Sequence, residues 1–161
     1  MSERGIKPGG GAYKVVIPVE ERQVLAALSG QLLDALDADE PTLYRLFQPA
    51  YTDDAKANRE YRELVGRSLK EGKRAALTAL KRTADATRLT GEELETWLGA
   101  VESLRLALGT QLNVNEESHG PIDPDDPDAP RRALFQWLSW LQEEIVEALT
   151  TSLPSRENSR P

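Results

Sequence analysis

Apolar residues recur at helical spacing over most of the chain. Val24, Leu25, Leu28, Leu32 and Leu36 predict an amphipathic helix from Val19 to about Leu36. An acidic stretch, Asp37 to Glu40, then ends at Pro41, which can open a short helix carrying Leu43, Leu46 and Phe47, closed by Pro49. Thr52-Asp53-Asp54 offers a helix cap and first-turn carboxylates that suit the helix dipole. A long helix is expected behind it, to about Arg82, with Tyr61, Leu64, Val65, Leu69, Leu77 and Leu80. Gly66 and Gly72 weaken it by roughly 1 kcal/mol each relative to alanine. Thr90-Gly91-Glu92-Glu93 reads as a capping box, with Thr90 as cap and Glu93 reaching back. The helix it opens has the most regular period in the chain: Leu94, Trp97, Leu98, Val101, Leu104, Leu108 and Leu112. A last helix is expected from Pro130 to about Leu149.

The remaining segments break this pattern. Residues 1–11 are charged and glycine-rich, ending in Pro8-Gly9-Gly10-Gly11, and read as a flexible leader. Ala12 to Pro18 is short and β-branched and reads as one strand or extended arm. A strand cannot stand alone, and nothing else in the sequence reads as its mate, so pairing with a partner chain stays open. Residues 113–130 carry four prolines and six acids with only Val114 and Ile122 to bury, and read as a mobile acidic loop. Residues 151–161 read as a disordered tail. The expectation is one all-α domain over residues 12–150, with four longer helices, one short helix and a strand-like N-terminal arm.

Composition narrows the chemistry. The 161 residues include no cysteine and one histidine, His119. Disulfides, thiolate metal sites, cysteine nucleophiles and thiol redox switching are therefore excluded. His119 sits in the acidic loop and reads as a bystander. The loop acids Asp123, Asp125, Asp126 and Asp128 lack the central glycine and terminal glutamate of a calcium loop. No phosphate-binding glycine loop or serine–histidine pairing is present, so no enzyme, cofactor, metal or small-molecule substrate is expected. No apolar run approaches a membrane span and the N-terminus lacks a signal-peptide apolar region, so a cytoplasmic protein away from membranes is expected.

Charge is uneven. Ten basic and four acidic residues between Lys56 and Arg88 give that stretch +6, leaving −13 for the remainder of a chain whose net charge is −7. Arg67, Lys70, Arg74 and Lys81 share one helix face. They read either as a binding stripe for an acidic partner or nucleic acid, or as a solvated face paired with nearby acids. No aromatic residues interleave them for base stacking, and nucleic acid is not the expected partner. On the last helix, Leu134, Leu138, Leu141, Ile145 and Leu149 form the inward stripe, and Trp140 falls among Gln136, Glu144 and Glu147 on the polar side. Trp140 is either an interface anchor or part of a helix buried nearly all round. Arg105, within Leu104-Arg105-Leu106-Ala107-Leu108, can form an internal ion pair, snorkel to solvent or bind an anion. The candidate partner-binding residues are thus Arg67, Lys70, Arg74, Lys81 and Trp140. Surplus apolar residues on the last helix and the unmated strand suggest self-association or a protein partner.

Four segments carry a family resemblance: Leu25–Asp37 (LAALSGQLLDALD), Leu46–Asp54 (LFQPAYTDD), Trp97–Val114 (WLGAVESLRLALGTQLNV) and Leu134–Leu149 (LFQWLSWLQEEIVEAL). In this order they resemble an actinobacterial family of oxidative-stress-response regulators, the AosR family, formerly a domain of unknown function. The resemblance spans about residues 12 to 150. LRLALGT and WLxWLQ are its most specific parts, and they are helix-packing motifs that name no chemistry. The resemblance implies a small cytoplasmic, non-enzymatic regulator that contacts transcription machinery, such as an alternative sigma factor, in response to oxidants. Family genes sit beside a ClpS-type protease adaptor and beside a metalloprotease and sulfur-carrier pair, which implies a further alternative, an adaptor in regulated proteolysis. This sequence departs from the family picture in one respect. A thiol–disulfide sensor needs cysteines, so any regulator role here is redox-independent.

Overall fold

The glycines near the N-terminus build a hairpin. In the computed structural model, which describes residues 4–38, 55–112 and 125–152, Gly10 and Gly11 adopt φ of +61° and +79°. Two successive positive φ values make the tight turn whose twist matches antiparallel strands, and glycine takes them without penalty. The turn joins β1 (Gly5–Gly9) to β2 (Ala12–Val16), paired antiparallel from Gly5 opposite Val16 to Gly9 opposite Ala12. The other edge of β2 pairs with β3 (Arg88–Leu89), Tyr13 lying opposite Leu89. The fold is therefore helical with a small three-stranded sheet, ordered β1-β2-β3, rather than strictly all-α. Part of the expected leader is a strand, because the glycines serve a turn rather than flexibility. Both mates of β2 lie within the chain, so the argument for pairing across an interface falls away. Tyr13, Val15 and Ile17 alternate inward and are buried, as period-2 patterning requires.

The helices follow the apolar periods. α1 spans Val19–Asp37, α2 Ala55–Thr83, α3 Gly91–Leu112 and α4 Ala129–Ser152. The short helix expected after Pro41 lies outside the described residues, as do 113–124 of the acidic loop and the C-terminal tail beyond Ser152. The capping box forms as read: Glu93 N–H donates to Thr90 Oγ1 at 3.0 Å, and Thr90 N–H donates to Glu93 Oε1 at 2.8 Å. α3 is the hub, packing against α1, α2, α4 and the strands β2 and β3. Leu94, Trp97, Ala100 and Val101 on its inner face are fully buried, together with Leu77 and Leu80 of α2 and Leu138, Leu141 and Ile145 of α4. Full burial of such side chains contributes about 1.5–3 kcal/mol each, so this centre dominates the stability.

One buried cation ties the sheet to the helices. Arg22, in the first turns of α1, is 8% exposed. Its guanidinium donates to the carbonyls of Val15 (2.8 Å), Ile17 (2.9 Å), Ala84 (3.0 Å) and Ala86 (2.6 Å). The end of β2 and the α2–β3 connection thus converge on one planar five-donor group. Burial pulls the Arg22 pKa below the usual arginine value, and nearby Asp85 pushes the other way; arginine stays charged through either effect.

The start of α4 has a cap that its prolines concealed. Asp126 Oδ1 accepts from the Asp128 N–H at 2.9 Å, and Asp126 Oδ2 accepts from Arg132 Nε at 2.8 Å. These bonds, the backbone one foremost, hold the Asp126 carboxyl below the usual carboxylate range. A depressed carboxylate pKa stabilises the fold fully above the unfolded value near pH 4, and that contribution is lost as pH falls through the lower folded value. Wild type is therefore expected to melt above Asp126→Asn at neutral pH, with the gap closing in acid as pH falls through the lowered folded value. Parallel thermal melts at neutral pH and in acid check this; a gap that does not depend on pH would contradict it.

Candidate functional site

Three regions bear on partner binding. The first is the basic stripe of α2. Arg67 lies outside the described side chains. Lys70 is half-buried and engaged in an interaction of its own. Arg74 pairs with Asp37 at the end of α1. Lys81 is exposed and reaches toward Gly30 of α1, its Nζ 3.5 Å from the place a Cβ would occupy there. Arg74 and Lys81 are therefore brought together along the α1–α2 seam, and Arg74 is neutralised by an acid of its own chain. Exposed pairs of this kind contribute about 0–1 kcal/mol, so a stronger partner can displace Asp37 at little cost.

Trp140 forms the second region, and it meets neither sequence expectation in full. α4 is not central: it lies against α3 on one side and β1 on another, and Glu143, Val146 and Glu147 are exposed. Trp140 is half-buried, packs against the edge of the core, and carries the Arg4 guanidinium over its ring at 4.6 Å. Arg4 also pairs with Glu21 of α1. One arginine thus clasps α1 and α4 together across the start of β1, with a cation–π contact worth about 0.5–1 kcal/mol at an exposed site.

The third region is a groove between α3 and α4. Arg105 lies at its centre, half-buried. It makes no ion pair among the described residues; its Nε donates to Ser139 Oγ at 2.7 Å, and its guanidinium stacks over the Phe135 ring at 4.9 Å. Ser139 Oγ in turn donates to the Phe135 carbonyl at 3.0 Å. The ring can lie there because Gly109 has no Cβ; one would come within 3.0 Å of Phe135, which accounts for the glycine in LRLALGT. On one side of Arg105 opens a cavity of about 390 Å³ lined by Gln142, Glu143, Val146 and Glu147. On the other side is one of about 230 Å³ lined by Glu102, Leu106, Gly109 and Phe135. Gln142 borders both, and its buried Oε1 has no hydrogen-bond partner among the described residues. Leu106 and Val146, one in each cavity, are 41% and 45% exposed. Sequence reasoning singled out Arg105 but not the groove. The signal was present as apolar residues off the inward stripes: Leu106 falls outside the Leu94–Leu112 series, and Val146 widens that of α4.

No group of three or more metal-ligating side chains occurs among the described residues, and no described helix is long and apolar enough to cross a membrane. What the described surfaces present is a mixed-charge groove with two cavities lined largely by polar residues, each with an exposed apolar side chain, a half-covered tryptophan and a seam of cations.

The family described as Domain of unknown function (DUF2017) matches residues 3–149. The chain belongs to that family. It is similar to the AosR protein of Mycobacterium leprae (strain TN), 29% identical over 149 residues that cover 82% of this chain and 68% of the relative. It is 31% identical over 123 residues to the "Oxidative stress regulator AosR" of Mycobacterium bovis and of Mycobacterium tuberculosis H37Rv, covering 74% of this chain and 53% of each relative. The chain thus spans about two thirds of the first protein and about half of the other two. The AosR resemblance holds, and the family match over residues 3–149 takes in the hub α3 and the groove. No solved structure matches the chain.

Proposed function

We propose that this chain is a non-enzymatic cytoplasmic regulator that acts by protein–protein contact, and does so without thiol switching. The observation that carries the reading is the similarity, over about three quarters or more of the chain, to proteins named as oxidative stress regulators. The relatives' name brings the regulatory role; the absence of cysteine removes the thiol–disulfide route for executing it. What remains is contact through folded surfaces: the α3–α4 groove, the Trp140 edge and the Arg67–Lys81 stripe. A component of the transcription machinery, such as an alternative sigma factor, is the partner class. The pairing of Arg74 with Asp37 supports protein contact over nucleic acid, since it removes one free cation from the face a phosphate backbone would need.

The test is binding in two arms. Tagged full-length chain is crosslinked in its own cells, captured, and treated with nuclease before mass spectrometry. Fluorescence anisotropy with duplex DNA is run on the purified protein at about 0.15 M salt. Nuclease-resistant capture of a transcription protein with no DNA binding is expected. Nuclease-sensitive capture, with DNA binding whose log–log salt slope is near −0.9 per contact and which Arg74→Glu with Lys81→Glu abolishes, would overturn the reading in favour of nucleic acid.

A further inference from the structure

We propose that the larger cavity beside Arg105 binds a basic α-amino acid, as a ligand that the chain holds without transforming it. Three charged side chains stand on the cavity wall: Arg105 of α3, and Glu143 and Glu147 of α4. Arg105 is set to receive a carboxylate. Ser139 accepts from its Nε and the Phe135 ring lies against its plane. The guanidinium is thereby fixed, while its terminal nitrogens have no carboxylate partner among the described residues. A fixed planar fork with unused donors matches the two oxygens of a carboxylate. A simple anion is nonetheless the wrong ligand, because two acids share the wall with one cation. Neither Glu143 nor Glu147 is ion-paired among the described residues. The complement of this wall is one negative and two positive charges.

The register of α4 sets the order of those charges. Ser139, Glu143 and Glu147 follow one another every fourth residue along one face of the helix, about 6 Å apart along its axis at 1.5 Å per residue. Arg105 is level with Ser139, to which it is bonded. The cavity wall therefore runs from a cation to an acid one turn on and a second acid two turns on. A basic α-amino acid carries the complementary charges in the same order. Its carboxylate pairs with Arg105, its α-ammonium with Glu143, and the cation at the end of its long flexible side chain with Glu147. Gln142 supplies one more acceptor. Its Oε1 is buried with no hydrogen-bond partner among the described residues, a state that buried polar atoms rarely keep. Gln142 lines the cavity, and rotation about the soft torsion of its terminal amide presents that oxygen to the α-ammonium. The volume of about 390 Å³ falls within the roughly 300–1,000 Å³ of small-molecule sites. This inference goes beyond the regulatory reading, which concerns protein contact, and does not rest on it.

The test is calorimetric titration of the full-length chain with L-arginine and L-lysine, beside analogues that each alter one charge. L-Citrulline keeps the shape of arginine without its side-chain charge, agmatine lacks the carboxylate, and L-glutamate reverses the side-chain charge. Arginine or lysine is expected to bind with one site per chain, and each analogue about tenfold more weakly or worse. Glu147→Gln, at an exposed position, should weaken arginine binding by about tenfold with an unchanged thermal melt. Glu95→Gln, at an exposed position of α3 that does not line the cavity, should bind arginine as wild type does. Glu147→Lys should invert the preference, so that L-glutamate binds more tightly than L-arginine. A wild type that binds neither arginine nor lysine at millimolar concentrations would overturn the proposal. Binding that citrulline and agmatine match, or that Glu147→Gln leaves unchanged, would also overturn it.

Discussion

Arg22→Met is expected to cost about 3–5 kcal/mol of folding stability. The side chain is buried and donates four hydrogen bonds to carbonyls from two parts of the chain, the end of β2 and the α2–β3 connection. Bonds to a charged group contribute about 1.5–3 kcal/mol each, and a buried carbonyl left without a donor costs about 1–3 kcal/mol. The four are not additive, because relaxation of the α2–β3 connection lets water reach some of the freed carbonyls. Methionine keeps the apolar stem of the side chain, so the loss measures the guanidinium rather than a cavity. Arg22→Lys should recover little, since a single ammonium cannot span carbonyls arranged around a planar fork. Urea unfolding should show the midpoint falling with the slope unchanged. A shift below about 1 kcal/mol would mean that the sheet and helices are joined by packing alone.

Trp97→Ala should cost a comparable amount, about 3–5 kcal/mol, for a different reason. Trp97 is the largest fully buried side chain on the hub helix. Its indole Nε1 donates to Thr83 Oγ1 at 2.7 Å, and that hydroxyl donates to the Ala79 carbonyl at 2.7 Å. Alanine leaves a cavity where α2 and α3 meet and removes a donor that fixes the end of α2. Trp97→Phe separates the two contributions: it fills much of the volume but breaks the bond, and should cost about 1–2 kcal/mol. Equal losses for alanine and phenylalanine would assign the whole effect to the hydrogen bond. With marginal stabilities of about 5–15 kcal/mol, either large variant can leave a substantial unfolded fraction at growth temperature.

Helices were the legible part of this sequence. Leu94 to Leu112 repeats at helical period between a capping box and the acidic loop, and α3 follows it closely. The sheet was not legible, for physical reasons. β1 reads Gly-Ile-Lys-Pro-Gly, with one apolar side chain to bury and low strand propensity. It is held by a glycine turn and by packing against α4, both of which depend on the rest of the fold. β3 has two residues, too few for any periodicity to show. The α4 cap was hidden because Asp126 sits among prolines and acids that resemble a disordered run. Of the site, the basic stripe and Trp140 were visible as residue types. Their surroundings were not: Asp37 lies 37 positions from Arg74, and Arg4 lies at the far end of the chain from Trp140. The α3–α4 groove depends on two helices lying side by side, and only the off-stripe Leu106 and Val146 hinted at it.

The regulatory role is the central claim, and the transcript response to peroxide in cells lacking this chain tests it most directly. Deletion should change that response, and re-expression of the cysteine-free wild-type chain should restore it. A deletion strain whose transcripts before and after peroxide match those of its parent would contradict the account.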